Sequence, residues 1–184
     1  MLRWPNVPAC YGWLSLDRRG QWRLRGEPVT HAGLNAFLNR QYAHDENGNY
    51  FVQNGPQRVF VELEYTPWVL RLTSGGQLET HVGEAVTKIS SAALDDEGNL
   101  LLDTPRGIAL LCDRDLPALL HCLRLPSGAI ADEATLLNIV ERPGGSVNVL
   151  TLEWEGAQLP VASLRRCDVP ERYGFVASPQ ATRP

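Results

Sequence analysis

Lysine is nearly absent: Lys88 stands alone among 17 basic residues in a chain of 184. The others are arginines, whose planar fork grips carboxylates and phosphates as a lysine point charge does not. A GC-rich genome explains the bias as simply, so it selects no ligand. Excess basic charge is missing too. The formal net charge is −4, whereas neutralising phosphates calls for the opposite sign, so nucleic acid is not an expected partner. No apolar run approaches the roughly 18 to 20 residues that span a bilayer, and Met1-Leu2-Arg3-Trp4-Pro5 lacks the charged-then-apolar order of a signal peptide. The expectation is a cytoplasmic protein with no membrane partner.

Cys10, Cys112, Cys122 and Cys167 are scattered without a Cys-x-x-Cys pair, which argues against a zinc knuckle or disulfide framework and for four reduced, structural thiols. None of His31, His44, His81 and His121 lies at i, i+4 from another histidine or a cysteine. No metal site and no cofactor is expected. Gly75-Gly76 and Gly144-Gly145 lack the strand, spacing and helix of a phosphate cradle, and read as turns.

What the chain does contain is a repeat. Gly20-Gln21, followed by Gly26-Glu27-Pro28-Val29-Thr30, reappears as Gly76-Gln77, followed by Gly83-Glu84-Ala85-Val86-Thr87. Asp45, Gly48, Asn49, Pro67 and Leu70 then stand in constant register with Asp95, Gly98, Asn99, Pro117 and Leu120. Ordered matches of this kind indicate a duplicated unit.

In the first copy, strands at Trp13–Leu16 and Gln21–Leu24 flank an Asp17–Gly20 turn, and Thr30 is the expected N-cap of a helix ending near His44. Tyr50–Gln53, Arg58–Glu64 and Trp68–Leu72 then read as a three-stranded meander, with Val59, Val61 and Leu63 on one face and Arg58, Phe60, Glu62 and Glu64 on the other. The second copy has room for two helical turns at most. Its expected meander is Leu100–Asp103, Gly107–Cys112 and Ala118–Arg124, with the apolar run Ile108–Cys112 placing it centrally. A short helix over Asp132–Val140 and a hairpin of Val147–Trp154 and Ala157–Leu164 follow.

The fold expected is α+β, mainly antiparallel, built from two repeated strand-helix-meander units plus a C-terminal hairpin. Its parts are an N-terminal arm (1–10), a first unit (11–73), a second unit with the hairpin (74–178) and a frayed tail (179–184).

Each copy places an arginine near the mouth of its meander, Arg58 after Asn54-Gly55-Pro56-Gln57 and Arg106 after Thr104-Pro105. Copies packed face to face would aim both at one anion; left apart, they are edge charges that discourage strand pairing. Trp22 and Trp68 supply an apolar wall, and Glu62 flanks it. Glu62 and Glu64 on one strand face also suit a general acid and base, although a solvated sheet face explains them too.

Gly20-Gln21-Trp22, Gly26-Glu27-Pro28-Val29, Tyr50–Pro56, Arg58–Glu64, Pro67-Trp68 and Thr104-Pro105 together resemble an uncharacterised bacterial family with a duplicated core. The chain departs from that pattern at Asn54-Gly55-Pro56-Gln57, which has no threonine before the proline. The resemblance implies a C-terminal half similar to pleckstrin-homology folds, a ligand site between the halves, a nucleotide-like ligand and a signalling role.

The leading expectation is thus a non-catalytic ligand-binding or regulatory module using Trp22, Arg58, Glu62, Trp68 and Arg106. The alternatives are a hydrolase with Glu62 or Glu64 as base, and an interaction scaffold that includes a homodimer.

Overall fold

The computed structural model describes residues 8–144 and 150–181. Among them two sheets form, and one apolar cluster runs through both. The expected α+β class with predominantly antiparallel pairing is what the chain adopts.

The first copy opens with β1 (Ala9–Leu16), which buries Cys10, Leu14 and Leu16. This strand starts inside the stretch expected to be an arm; residues 1–7 lie outside the described residues. A turn at Asp17–Gln21 leads to β2 (Trp22–Leu24), and a tight Arg25-Gly26 hairpin, both residues at positive φ, leads to β3 (Glu27–Pro28). Helix α1 (Ala32–Gln41) is capped by His31, whose Nδ1 accepts from the Leu34 N–H at 3.1 Å. The cap is therefore one residue later than Thr30. The helix also ends sooner than expected, because Tyr42–His44 extends as β4 to pair with β5 (Tyr50–Asn54). From β5 a Gly55-Pro56 turn returns the chain as β6 (Gln57–Leu63), which runs parallel to β1.

Trp68–Leu72, expected to close the first meander, instead opens the second sheet as β7. It is followed by β8 (Leu78–Thr80), β9 (Ala85–Val86), β10 (Ser91–Asp95), β11 (Leu100–Thr104) and β12 (Gly107–Leu111). No helix intervenes between β9 and β10. The first sheet is ordered β3-β2-β1-β6-β5-β4, and the second contains β9-β8-β7-β12-β11-β10 in the same sequence of roles. The parallel pair β1 with β6 recurs as β7 with β12. The duplication is thus a property of the fold.

Beyond β12, Leu116–Leu120 forms helix α2 and only Leu123–Arg124 is a strand, β13, where a single strand was expected. Pro117 sits at the start of that helix, a place where its missing N–H costs nothing. The matches of Pro67 and Leu70 to Pro117 and Leu120 consequently join β7 and the residue before it to a helix and are not structural equivalents. Asp132 caps α3 (Glu133–Glu141). The hairpin β14 (Leu150–Trp154) and β15 (Ala157–Leu164) extends the second sheet by pairing β15 parallel to β10, and β13 lies beyond it. The part of the expected hairpin at 147–149 lies outside the described residues. β12 stands between β11 and β7, and Ile108–Cys112 is buried throughout, as that run implied.

Helix α4 (Val169–Tyr173) ends at Gly174 in the left-handed region, and the chain then crosses to the first copy. Val176 N–H donates to Gly48 O, Ala177 O accepts from Leu63 N–H, and Ser178 Oγ donates to Glu62 Oε2. Pro179 is buried, so the start of the expected frayed tail is packed. Among the described residues no helix is long and apolar enough to cross a membrane.

Candidate functional site

One turn recurs through both copies and sets where the sheets meet. At Asp17–Gln21, Asp45–Asn49, Thr73–Gln77, Thr80–Glu84 and Asp95–Asn99, the first residue accepts twice. Its C=O takes the glycine N–H, and its side-chain oxygen takes the N–H of the last residue. Asp and Thr offer such an acceptor, and Gly supplies the positive φ.

The turn at Asp95 is also a junction. Asp95 is 1% exposed and accepts the Tyr65 hydroxyl at 2.6 Å, besides the backbone N–H groups of Glu97 and Asn99. Burial and that anion push the Tyr65 phenol well above its usual range. The Tyr65 ring has Arg18 at 5.8 Å and Arg166 at 4.9 Å from its centroid. Both guanidiniums pair with Glu97, which lowers its carboxyl pKa, Arg166 foremost.

A second junction is aromatic. Trp22, Tyr42 and Tyr50 of the first copy meet Trp68 and His81 of the second, with centroids 5.1 Å apart for Trp22 and Tyr42, 5.2 Å for Tyr42 and Trp68, and 5.6 Å for Trp22 and His81. Trp22 Nε1 donates to Asn39 Oδ1 at 2.7 Å, tying β2 to α1. Tyr42 Oη donates to Pro67 O at 2.8 Å. His81 is 8% exposed, and burial, reinforced by the Arg71 charge, lowers its pKa to about 3. It is neutral at ordinary pH.

Above this junction lies a cleft of 580 Å³ between the end of α1 and the second copy, lined by Ala36, Asn39, Arg40, Tyr42, Trp68, Val82, Glu84 and Arg106. Arg106 comes from the β11–β12 turn and donates to Glu84 at 2.7 Å, with its guanidinium 5.9 Å from the Trp68 ring centroid. That ion pair is largely exposed and so contributes little, which leaves Arg106 free to exchange partners. Arg40 has no side-chain partner among the described residues. Its place in the last turn of α1 suits the helix dipole, the plainest reason for a cation there. The lining thus carries two arginines and one carboxylate.

Two other clefts run along the seam. One of 460 Å³ is lined by Arg18, Arg19 and Arg23, but these pair with Glu97, Asp113 and Asp17. The Arg19 contact takes the Asp113 carboxyl down to about 2. The other, of 400 Å³, holds Arg166 already engaged by Glu97.

Trp68 and Arg106 therefore share a cleft, and Trp22 stands behind it. Arg58 and Glu62 are elsewhere. Strand alternation sets both opposite to the buried Val59 and Val61, and Arg58 lies over the Phe51 ring at 4.6 Å while Glu62 accepts from Ser178. The equivalent turns pair Asn54 with Gln57 and Thr104 with Gly107, so Arg106 corresponds to Pro56 and Arg58 to Ile108. Glu64 accepts from the Arg18 N–H. Arg40, Asn39, Tyr42 and Glu84 were not anticipated. The one available signal was the polar end of α1 leading straight into an aromatic strand. Among the described residues no group of three or more metal-ligating side chains gathers.

The fold and its junctions define a class: a duplicated α+β protein in which two like-ordered sheets enclose a polar cleft at their seam. The chain belongs to the family "Protein of unknown function (DUF2946)", whose model matches residues 1–180. Its fold is similar to that of a DUF1285 family protein from Silicibacter pomeroyi, with a TM-score of 0.55 and 13% identity over 84% of this chain and 81% of that one. A DUF1285 family protein from Shewanella baltica gives a TM-score of 0.43 and 17% identity over 56% of this chain and 87% of that one. No curated protein matches.

Proposed function

We propose that this protein is a non-catalytic module that binds a small anionic ligand, nucleotide-like in class, in the 580 Å³ cleft at the seam, with a regulatory role. The observation that carries the reading is that Arg40 from one copy and Arg106 from the other line one cleft together with Trp68. Anions favour such a pair because a planar guanidinium donates two parallel hydrogen bonds to an oxyanion, and an aromatic wall covers an apolar or planar remainder. Glu84 holds Arg106 in the absence of ligand and is displaced when an oxyanion arrives.

A thermal-shift screen of nucleotides and organic phosphates at millimolar concentration tests this. Ligand at about a hundred times its Kd stabilises by about 2.7 kcal/mol, so a rise in Tm of several degrees is expected for at least one compound. That rise should be lost in Arg40→Ala and Arg106→Ala. A screen in which nothing raises Tm would sink the proposal.

A further inference from the structure

The aromatic junction beneath the cleft holds two polar atoms that the fold leaves unsatisfied. Among the described residues, Trp68 Nε1 and His81 Nε2 are the buried side-chain nitrogens or oxygens without a hydrogen-bond partner. Trp68 is 5% exposed and His81 8%, and their ring centroids are 5.6 Å apart. Their neighbours are satisfied: Trp22 Nε1 by Asn39 and Tyr42 Oη by Pro67. The Tyr50 hydroxyl faces the Trp68 indole but lies outside hydrogen-bonding geometry with it.

The two orphans cannot satisfy each other. His81 Nδ1 accepts from the Val69 N–H at 3.4 Å, which assigns the ring proton to Nε2. An indole nitrogen is a donor only. Both are therefore donors, and the acceptor that faces the indole, the Tyr50 hydroxyl oxygen, is not placed to take its proton in good geometry. Unpaired buried N–H groups are rare because each forfeits its hydration without return. Trp68 is also part of the cleft wall, between Arg106 on the rim and His81 behind.

Resting on the reading of this cleft as an anion site, we infer that its ligand carries an acceptor-only oxyanion head, carboxylate or phosphate. One of its oxygens takes the Trp68 indole N–H while Arg106 and Arg40 hold the others. A cationic head would have to share the cleft with the Arg40 and Arg106 guanidiniums against the single carboxylate of Glu84, and is disfavoured.

The test is a titration of ¹⁵N-labelled protein with phenyl phosphate, benzoate and inorganic phosphate, following the indole N–H signals of its five tryptophans. The Trp68 signal is assigned by its loss in Trp68→Phe, or by through-bond assignment of the unmodified protein if that variant does not fold. The expected result is a downfield shift of the Trp68 indole proton that saturates with binding. In Trp68→Phe, which keeps an aromatic ring and removes the donor, affinity should fall about tenfold or more. Phenyl phosphate against benzoate reports which oxyanion is preferred, and either one moving Trp68 supports the inference. Binding that Arg106→Ala abolishes while the Trp68 proton stays still would overturn the inference and leave the anion cleft standing. If no probe binds at all, both fall together.

Discussion

Gly20 and Gly76 occupy the same place in the two copies and share nearly the same backbone, with φ of +73° and +75°. Their surroundings differ. A Cβ at Gly20 would sit 2.5 Å from His81 Cβ and 3.3 Å from Val69 Cβ, whereas at Gly76 nothing lies within 4 Å. Gly76→Ala should thus cost only the left-handed penalty of about 1 to 2 kcal/mol, and Gly20→Ala more than about 3 kcal/mol because the seam must open as well. Chemical denaturation of both variants checks the order; equal losses would contradict a tight seam at His81.

His81 itself links the seam to pH. Its folded pKa, about 3, lies below the ordinary imidazole value because burial disfavours the cation. The unfolded chain therefore binds a proton that the folded one refuses. Stability is fully present above pH 6.5 and declines as pH falls from there toward 3, by about 2 kcal/mol on reaching pH 5. The depressed carboxyls of Asp113, Glu97 and Asp45 add their losses only at lower pH. Urea midpoints measured from pH 7 to pH 5 should show the decline, and His81→Gln should flatten it.

At the scale of elements, the Asp-x-x-Gly-Asn turns were legible in the sequence because side-chain acceptor and glycine are both written in it. Long-range pairing was not. Trp68–Leu72 follows β6 closely, so an antiparallel neighbour was the natural expectation; the parallel pairing of β1 with β6 fills that edge and sends β7 to the other sheet. Imidazole seldom serves as an N-cap, so the sequence points to Thr30 ahead of His31, and the five residues of α2 look the same in a strand or a helix turn. The same limit shaped the site. Trp22, Trp68 and Arg106 were visible as residue types near turns, whereas Arg40 joins them only through the packing of α1 across the seam.

The two Asp turns now make a matched pair for experiment. Asp45 and Asp95 accept equivalent bonds from Asn49 and Asn99, but Asp95 alone also accepts Tyr65 and is almost wholly buried. Removing Asp95 strands a buried hydroxyl in addition to opening a turn. Asp95→Ala should therefore cost about 2 to 3 kcal/mol more than Asp45→Ala, while Tyr65→Phe, which leaves Asp95 its other donors, should cost about 1 kcal/mol. Denaturant midpoints of the three variants decide it, and a Tyr65→Phe loss as large as that of Asp95→Ala would show that the ring, with its two arginines, matters more than the hydroxyl.

For the whole molecule, the question is whether duplicated halves behave as one folding unit. The C-terminal segment suggests that they do. After α4, which follows the last strand of the second sheet, Phe175 enters the shared core at 6% exposure. Val176, Ala177 and Ser178 then bond to Gly48, Leu63 and Glu62 of the first copy. The approach is close enough that a Cβ on Gly48 would lie 2.2 Å from Gly174 O and 2.9 Å from Phe175 Cα. Burying Phe175 contributes about 2 to 3 kcal/mol, and each of the three hydrogen bonds adds about 1 kcal/mol. Truncation after Gly174 should consequently lower stability by about 5 to 6 kcal/mol. If the copies are one unit, the truncated chain melts in a single transition at a lower Tm, with fluorescence and far-ultraviolet dichroism coinciding. Because the segment ties the second half of the chain to the first sheet, separable copies would instead show two transitions on truncation, the first copy melting ahead of the second. That outcome would also place the seam cleft between bodies able to part, and ligand binding there would have to hold them together.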